Sequence, residues 1–171
     1  MSQRPFRFDP EKGLEVLLYI ASRLREDYYR VLKTLYFADK YHLERYGRPI
    51  CGDHYIAMKS GVVPSGLYDF VTDVKDGRLG RYDGVDASQA FDLNGYRILL
   101  KRQPNLKFLS QSDLECLDRA IGDVSKMSYP VLFKATHGPD YEAAELNDEI
   151  PFEELAKTLP SGDELLNALR S

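Results

Sequence analysis

The chain has 171 residues, of which 43% are hydrophobic and 29% are charged, and these values are typical of one folded globular domain. Its net charge of −4 argues against a nucleic-acid-binding surface, because such surfaces are basic. No apolar run approaches the roughly 20 residues of a membrane span, and the first residues have no apolar core of a signal peptide, so we expect a cytoplasmic protein that does not bind membranes.

Two long helices are predicted in the first third of the chain. Asp9 and Pro10 indicate the start of the first, because an acidic N-cap followed by proline suits a helix N-terminus. Apolar residues at helical spacing extend this helix over about 10–25 and predict a second over about 27–45. Gly47 is expected to end the second helix. The short link between the two predicts an antiparallel helical hairpin.

The next part of the chain is predicted to be less regular. Residues 50–63 have short alternating apolar stretches and predict one short strand or an extended loop. Ser65, directly after Pro64, is predicted to cap a helix that ends near residue 75. The glycine-rich residues 77–89 predict a loop.

The clearest strand signal lies just beyond this loop. Two short apolar stretches, 90–93 and 96–100, flank Asn94 and Gly95. This dipeptide tolerates the positive φ angles of a type I′ turn, and the pattern therefore predicts a β-hairpin.

The last third of the chain is predicted to be helical. A short helix is expected over 151–158. Serines with capping signals start three further helices: Ser112 with Glu115, Ser128, and Ser161 with Glu164. The sum is a mainly α (α+β) fold, a single compact helical domain over 1–171 with a small β-hairpin or short antiparallel sheet.

Residues 31–69 carry the most distinctive pattern in the chain, a dense series of aromatic, glycine and polar positions. Its members are Lys33, Tyr36, Phe37, Ala38, Asp39, His42, Tyr46, Gly47, Pro49, Gly52, Asp53, Tyr55, Ala57, Met58, Gly61, Val63, Pro64, Ser65, Leu67, Tyr68 and Asp69. This pattern resembles the Panacea domain family, also described as the SocA-like or phage-associated GepA-like domain.

The resemblance covers about residues 10–145 and leaves the predicted helices at 151–170 as an extension. Its second, shorter match is Thr136 and His137 with Tyr141, where the family has tryptophan. Val62 likewise stands where the family has proline. Both departures bear on any partner specificity taken from relatives.

The resemblance implies an antitoxin without enzymatic activity that neutralises a cognate toxin, encoded next to it, by direct protein–protein binding. One alternative is a proteolytic adaptor that delivers the toxin to the ClpXP protease. A phage-encoded interaction protein without a toxin partner is another. A third is an enzyme, which a deep pocket lined by at least three polar motif residues would favour. Those residues are Lys33, Asp39, His42, Asp53 and His137.

Asp39 and His42 lie three residues apart in the second predicted helix and so share a face, about 120° from Lys33. We interpret them as a polar network that holds this helix against the following segment, with partner contact and catalysis as the alternatives. A buried Asp39 would need hydrogen-bond donors. The candidate donors are Tyr55, His54 and the backbone amides of Gly52 and Asp53.

Other polar residues have simpler expected roles. Asp53 is predicted to form an Asx-type turn, His54 to be half-exposed, and His137 to cap a helix C-terminus. Cys51 and Cys116 lie 65 residues apart and predict reduced thiols. Since no histidine or cysteine pair has the spacing of metal ligands, we predict no metal site and no cofactor.

Thirteen motif residues are candidates for partner binding or for the polar network. They are Lys33, Tyr36, Asp39, His42, Tyr46, Asp53, Tyr55, Lys59, Ser65, Tyr68, Asp69, His137 and Tyr141. Tyrosine suits protein interfaces, and one candidate docking face is formed by the tyrosines of the motif half, namely Tyr28, Tyr29, Tyr36, Tyr41, Tyr46, Tyr55 and Tyr68.

A second candidate surface is acidic. Residues 135–156 contain seven acids and no lysine or arginine, which predicts a dock for a basic partner. The acids are Asp140, Glu142, Glu145, Asp148, Glu149, Glu153 and Glu154. We hypothesise that toxin contacts draw on both surfaces.

Overall fold

The computed structural model describes residues 4–78 and 80–171, so the first three residues and position 79 of the predicted loop lie outside the described part. Eight α-helices and two small antiparallel sheets occur within these ranges, which confirms the predicted fold class. No helix in these ranges is long and apolar enough to cross a membrane. The elements are α1 (Pro10–Arg23), α2 (Tyr28–Tyr46), β1 (Tyr55–Met58), β2 (Gly61–Pro64), α3 (Ser65–Asp76), β3 (Phe91–Asn94), β4 (Arg97–Leu100), α4 (Gln111–Ser125), α5 (Tyr129–Ala135), α6 (Pro139–Glu142), α7 (Phe152–Ala156) and α8 (Gly162–Arg170).

The first helix begins where its predicted capping residue places it, and the second begins within one residue of its predicted start. The carboxylates of Asp9 and Asp27 each accept a hydrogen bond of 3.1 Å from the backbone amide three residues on. Gly47, with φ of 74°, ends α2 in the left-handed conformation that glycine tolerates best. The first helix ends two residues earlier than predicted, because Leu24 already has extended backbone angles.

Residues 50–63 were predicted to form at most one strand, and this is wrong. The strands β1 and β2 form a hairpin, in which Tyr55 pairs with Pro64. A third stretch joins the outer edge of β1, where the amide of Ala57 donates to the carbonyl of Asp148 at 3.0 Å. Every residue of β2 is buried, so its sequence lacks the alternation that marks a half-exposed strand.

The predicted hairpin at 90–100 is confirmed as β3 and β4, but its turn differs. Asn94 pairs with Arg97, so the two loop residues are Gly95 and Tyr96. Only Gly95 has a positive φ, of 59°. One positive φ, at the first loop position, is the pattern of a type II′ turn rather than the predicted type I′.

Two of the predicted serine caps are wrong. The capping box of α4 consists of Ser110 and Asp113, two residues before the predicted pair, and each side chain accepts the other's backbone amide. The hydroxyl of Ser161 makes no capping bond to α8 and instead donates to the carboxylate of Glu44 at 2.7 Å. The cap at Ser128 is confirmed.

The second helix lies at the centre of the core. Leu32, Leu35 and Ala38 are fully buried in the larger of two apolar clusters. The smaller cluster joins the far side of α2 to the C-terminal helices α7 and α8. Its members include Tyr36, Leu43, Tyr55, Leu155, Ala156, Leu165 and Leu166. The two clusters therefore leave little of α2 for solvent.

Candidate functional site

The thirteen candidate residues fall into three classes of exposure. Only Tyr46 and Lys59 are exposed, and five are half-buried: Ser65, Tyr68, Asp69, His137 and Tyr141. The remaining six are buried: Lys33, Tyr36, Asp39, His42, Asp53 and Tyr55. A buried side chain cannot contact a partner on the surface, so these six act within the fold.

Asp39 is 1% exposed and fully hydrogen-bonded. Its two carboxylate oxygens accept from the hydroxyl of Tyr55 at 2.6 Å and from the amide of Ile50 at 2.8 Å. Burial raises the pKa of Asp39 to about 6. The predicted donor Tyr55 is confirmed, whereas the backbone donor is Ile50 rather than Gly52 or Asp53. The carboxylate thus fixes α2 to the chain that leaves it.

Asp53 caps α3 from outside the helix. Its carboxylate accepts the amides of Gly66 at 2.7 Å and Leu67 at 3.0 Å, besides the local amide of His54 at 2.8 Å. The predicted Asx-type turn is therefore wrong, because such a turn uses the amide two residues on, whereas the local bond of Asp53 comes from the next residue. Burial raises the pKa of Asp53 to about 7. The predicted cap at Ser65 is wrong, since its side chain makes no capping bond and Asp53 takes that place.

Asp39 and Asp53 border a small cavity of about 30 Å³ between β1 and the N-terminal segment. A cavity of this size has room for about two water molecules. Of the five residues proposed for an enzyme, only these two line it, and three would be needed to favour catalysis. The described residues contain no group of three or more His, Cys, Asp and Glu side chains that could hold a metal ion.

His42 is fully buried and faces α4. Its Nδ1 lies 2.6 Å from the carbonyl of Arg48, and its Nε2 lies 2.9 Å from the hydroxyl of Ser112. Burial lowers the pKa of His42. Next to it the carboxylate of Asp113 pairs with Lys12 at 2.8 Å, which joins α4 to α1. Sequence reasoning missed Asp113; its position in a capping box was the available signal.

Lys33 connects α2 to the turn between β1 and β2. Its ammonium donates to the backbone carbonyl of Ser60, and the side chain is 1% exposed. Burial lowers the pKa of Lys33 to about 8. The hydroxyl of Ser60 is itself buried without a hydrogen-bond partner among the described residues.

The short motif at Thr136 and His137 holds the same hairpin from the other side. The carbonyl of Thr136 accepts the amide of Val62 at 3.0 Å. Nδ1 of His137 lies 2.5 Å from the carbonyl of Phe133, which confirms the predicted helix cap, and Nε2 lies 3.3 Å from the carbonyl of Lys59. Both parts of the motif pattern therefore meet at the β1–β2 hairpin.

The acidic stretch is not one uniform dock. Asp140 is 1% exposed and accepts from the hydroxyl of Tyr36, so its assignment to an accessible surface is wrong. Three more acids are neutralised by ion pairs: Glu149 with Arg4, Glu153 with Arg170 and Glu154 with Lys157. Only Glu142, Glu145 and Asp148 are exposed without an ion pair among the described residues.

The seven motif tyrosines likewise do not share one face. Tyr36 and Tyr55 are 1% and 5% exposed, because both belong to the smaller core cluster. Tyr41 bonds to Asp123 on α4. Tyr28, Tyr29 and Tyr68 form an aromatic cluster with Tyr96 at the turn between β3 and β4. Tyr46 lies apart from them, beside His42. The prediction that these tyrosines form a single docking face is therefore wrong.

The polar motif thus defines a helical domain whose characteristic residues join α2 to its neighbours and to one β-hairpin. A family model described as antitoxin SocA-like, Panacea domain, matches residues 31–142. The chain belongs to this family, as the resemblance in its sequence predicted. No curated protein and no solved structure matches the chain.

Proposed function

We propose that this protein neutralises a cognate toxin by binding it directly, without chemistry of its own. The observation that carries the proposal is the match of residues 31–142 to an antitoxin family. It extends over the motif residues at the centre of the fold, so the family likeness concerns the domain itself rather than an appended segment.

The arrangement of the polar motif supports binding over catalysis. The polar atoms of Lys33, Asp39 and Asp53 form hydrogen bonds within the domain. A catalytic site would instead hold such groups together around a cavity large enough for a substrate, whereas of these three only Asp53 borders a cavity of that size. The exposed surface is then the part that is left to act on another molecule.

A growth assay tests the proposal. The adjacent open reading frame is placed under an inducible promoter and expressed alone or together with this protein. We expect growth arrest with the neighbour alone and growth recovery on co-expression, followed by co-purification of the two proteins. A harmless neighbour would remove the basis of the proposal.

The same assay separates direct binding from proteolytic delivery. In cells that lack ClpX or ClpP, a directly binding antitoxin still restores growth. Loss of neutralisation in those cells would identify an adaptor and contradict the proposed mechanism. The level of the neighbour's product, followed by immunoblot, provides the control, because an adaptor lowers it and a binding protein does not.

A further inference from the structure

A row of aromatic rings runs along α5, the short link after it and α6. Phe133 stacks on His137 with ring centroids 3.8 Å apart, and His137 lies 4.4 Å from Tyr141. Tyr129, one helical turn before Phe133, continues the row at 6.3 Å. We name Tyr129, Phe133, His137 and Tyr141 the aromatic ladder.

The first half of the ladder, Tyr129 and Phe133, offers apolar area that no element in the described part of the chain covers, whereas His137 and Tyr141 are half-buried. Tyr129 is 60% exposed and Phe133 is 40% exposed, although Leu132 between them is buried. Large aromatic side chains that bind no partner are usually packed inside a domain. Exposed aromatic rows therefore mark interaction sites. The backbone beneath is fixed, because Thr136 binds β2 and His137 caps α5.

Charge varies along the ladder. Lys134 follows Phe133 along the chain, and the carbonyl of Lys59 lies 3.3 Å from Nε2 of His137; both lysines are exposed. The three acids without ion pairs, Glu142, Glu145 and Asp148, follow its last ring along the chain. The other acids of this stretch are buried or paired. The negative charge of this stretch that has no ion pair among the described residues thus follows the last ring of the ladder, on a segment that Ala57 holds in place through backbone hydrogen bonds with Asn147 and Asp148.

We infer that the aromatic ladder and these three acids form the toxin-docking surface, and that the docked segment of the toxin presents apolar residues followed by arginine or lysine. Arginine suits such a site because its guanidinium stacks on aromatic faces and pairs with carboxylates. This inference rests on the proposed function, since it identifies the part of the antitoxin that holds the toxin.

The test uses the purified full-length protein and the purified product of the adjacent gene. The first variant combines Tyr129→Ser and Phe133→Ser, and we expect its Kd, measured by calorimetry, to rise about 100-fold, because exposed aromatic anchors carry much of the affinity at interfaces. The matched control combines Leu99→Ser and Leu106→Ser, which are 48% and 49% exposed elsewhere, and its Kd should stay unchanged.

The second variant reverses the charges by Glu142→Lys, Glu145→Lys and Asp148→Lys. We expect the association rate constant to fall about tenfold at low salt, because opposite charges steer the encounter. Its control reverses three exposed acids elsewhere and so has the same net charge: Glu26→Lys, Asp83→Lys and Asp163→Lys. Circular dichroism and thermal unfolding verify that each variant folds, and Tyr129→Ser alone serves if the double variant does not.

The outcomes are distinct. A complex that forms with wild-type protein and survives both sets of changes overturns the docking surface and leaves the antitoxin proposal intact. Equal losses of affinity or association rate in the variants and in their controls overturn the docking surface as well. If wild-type protein neither binds nor neutralises the neighbour's product, the proposed function fails, and the docking assignment fails with it. A dimer of wild-type protein that Tyr129→Ser makes monomeric would assign the ladder to self-association instead.

Discussion

The hydroxyl of Tyr36 donates a hydrogen bond of 2.5 Å to the carboxylate of Asp140, and both side chains are 1% exposed. The two residues are 104 positions apart, so this bond joins α2 to α6. The ammonium of Lys40 lies 3.2 Å from the same hydroxyl. A buried carboxylate needs such donors, because its desolvation is costly when it is left unpaired.

Replacement of Tyr36 by phenylalanine keeps the ring and removes the donor. We expect the free energy of unfolding to fall by about 1–3 kcal/mol, because the buried carboxylate of Asp140 loses a partner. Urea denaturation followed by circular dichroism measures the change. Tyr96→Phe removes the hydroxyl of a ring that is 62% exposed, and should change stability by less than about 0.5 kcal/mol. Similar losses in both variants would contradict a specific role for Tyr36.

The two buried carboxyls predict how stability depends on pH. The pKa of Asp39 is raised to about 6 and that of Asp53 to about 7 by burial, whereas the pKa of an unfolded aspartate is about 4. The folded state therefore binds these protons more tightly. The stability that these groups contribute is fully present below about pH 4 and is lost as the pH rises through 6 and 7.

Asp39→Asn tests this dependence at one position. The amide oxygen can still accept from Ile50, and the amide nitrogen can donate to the oxygen of Tyr55. Between about pH 4.5 and pH 8 we expect the free energy of unfolding to fall by about 2 kcal/mol less in this variant than in wild-type protein. Asp148→Asn, at an exposed carboxylate, is the control. Parallel pH curves for wild type and Asp39→Asn would exclude the predicted linkage.

The sequence predicted those elements whose signals are local. Asp9 and Gly47 act on backbone groups within a few residues, so their positions along the chain were sufficient. The cap of α3 was mispredicted because Ser65 and Asp53 both carry suitable acceptors. Which of the two side chains reaches the helix depends on the path of the chain between them. The spacing of apolar residues in the sequence does not predict that path.

The candidate site was predictable in composition but not in exposure. The motif identified Lys33, Asp39 and Tyr36 as important, yet the sequence could not separate an internal network from a docking face. The deciding contacts join distant segments, such as Asp140 to Tyr36 and Asp113 to Lys12. For the same reason Asp140 was grouped with exposed acids that merely surround it along the chain.

Gly61 in β2 has no room for a side chain. Its φ is 119°, and a Cβ atom would lie 2.3 Å from Oγ1 of Thr136. We expect Gly61→Ala to lower the free energy of unfolding by about 3 kcal/mol or more, because backbone strain and a steric clash combine. Gly77→Ala is the matched control: its φ is also positive, at 67°, but the space around it is open. Its expected cost is about 1 kcal/mol, so equal costs would argue against the clash with Thr136.

Lys33 is expected to show the opposite pH dependence, because its buried charge destabilises the folded state. Burial lowers the pKa of Lys33 to about 8, so the unfolded chain binds the proton more tightly, and stability should rise as the pH increases from about 8 to 10.5. Lys33→Met keeps the apolar stem and should abolish this rise, while the free energy of unfolding at pH 7 changes by about 1 kcal/mol or less. Lys33→Ala should cost about 2–5 kcal/mol, since it also leaves a cavity. If Lys33→Met unfolds as readily as Lys33→Ala, the contact with the carbonyl of Ser60 contributes more than the buried charge costs.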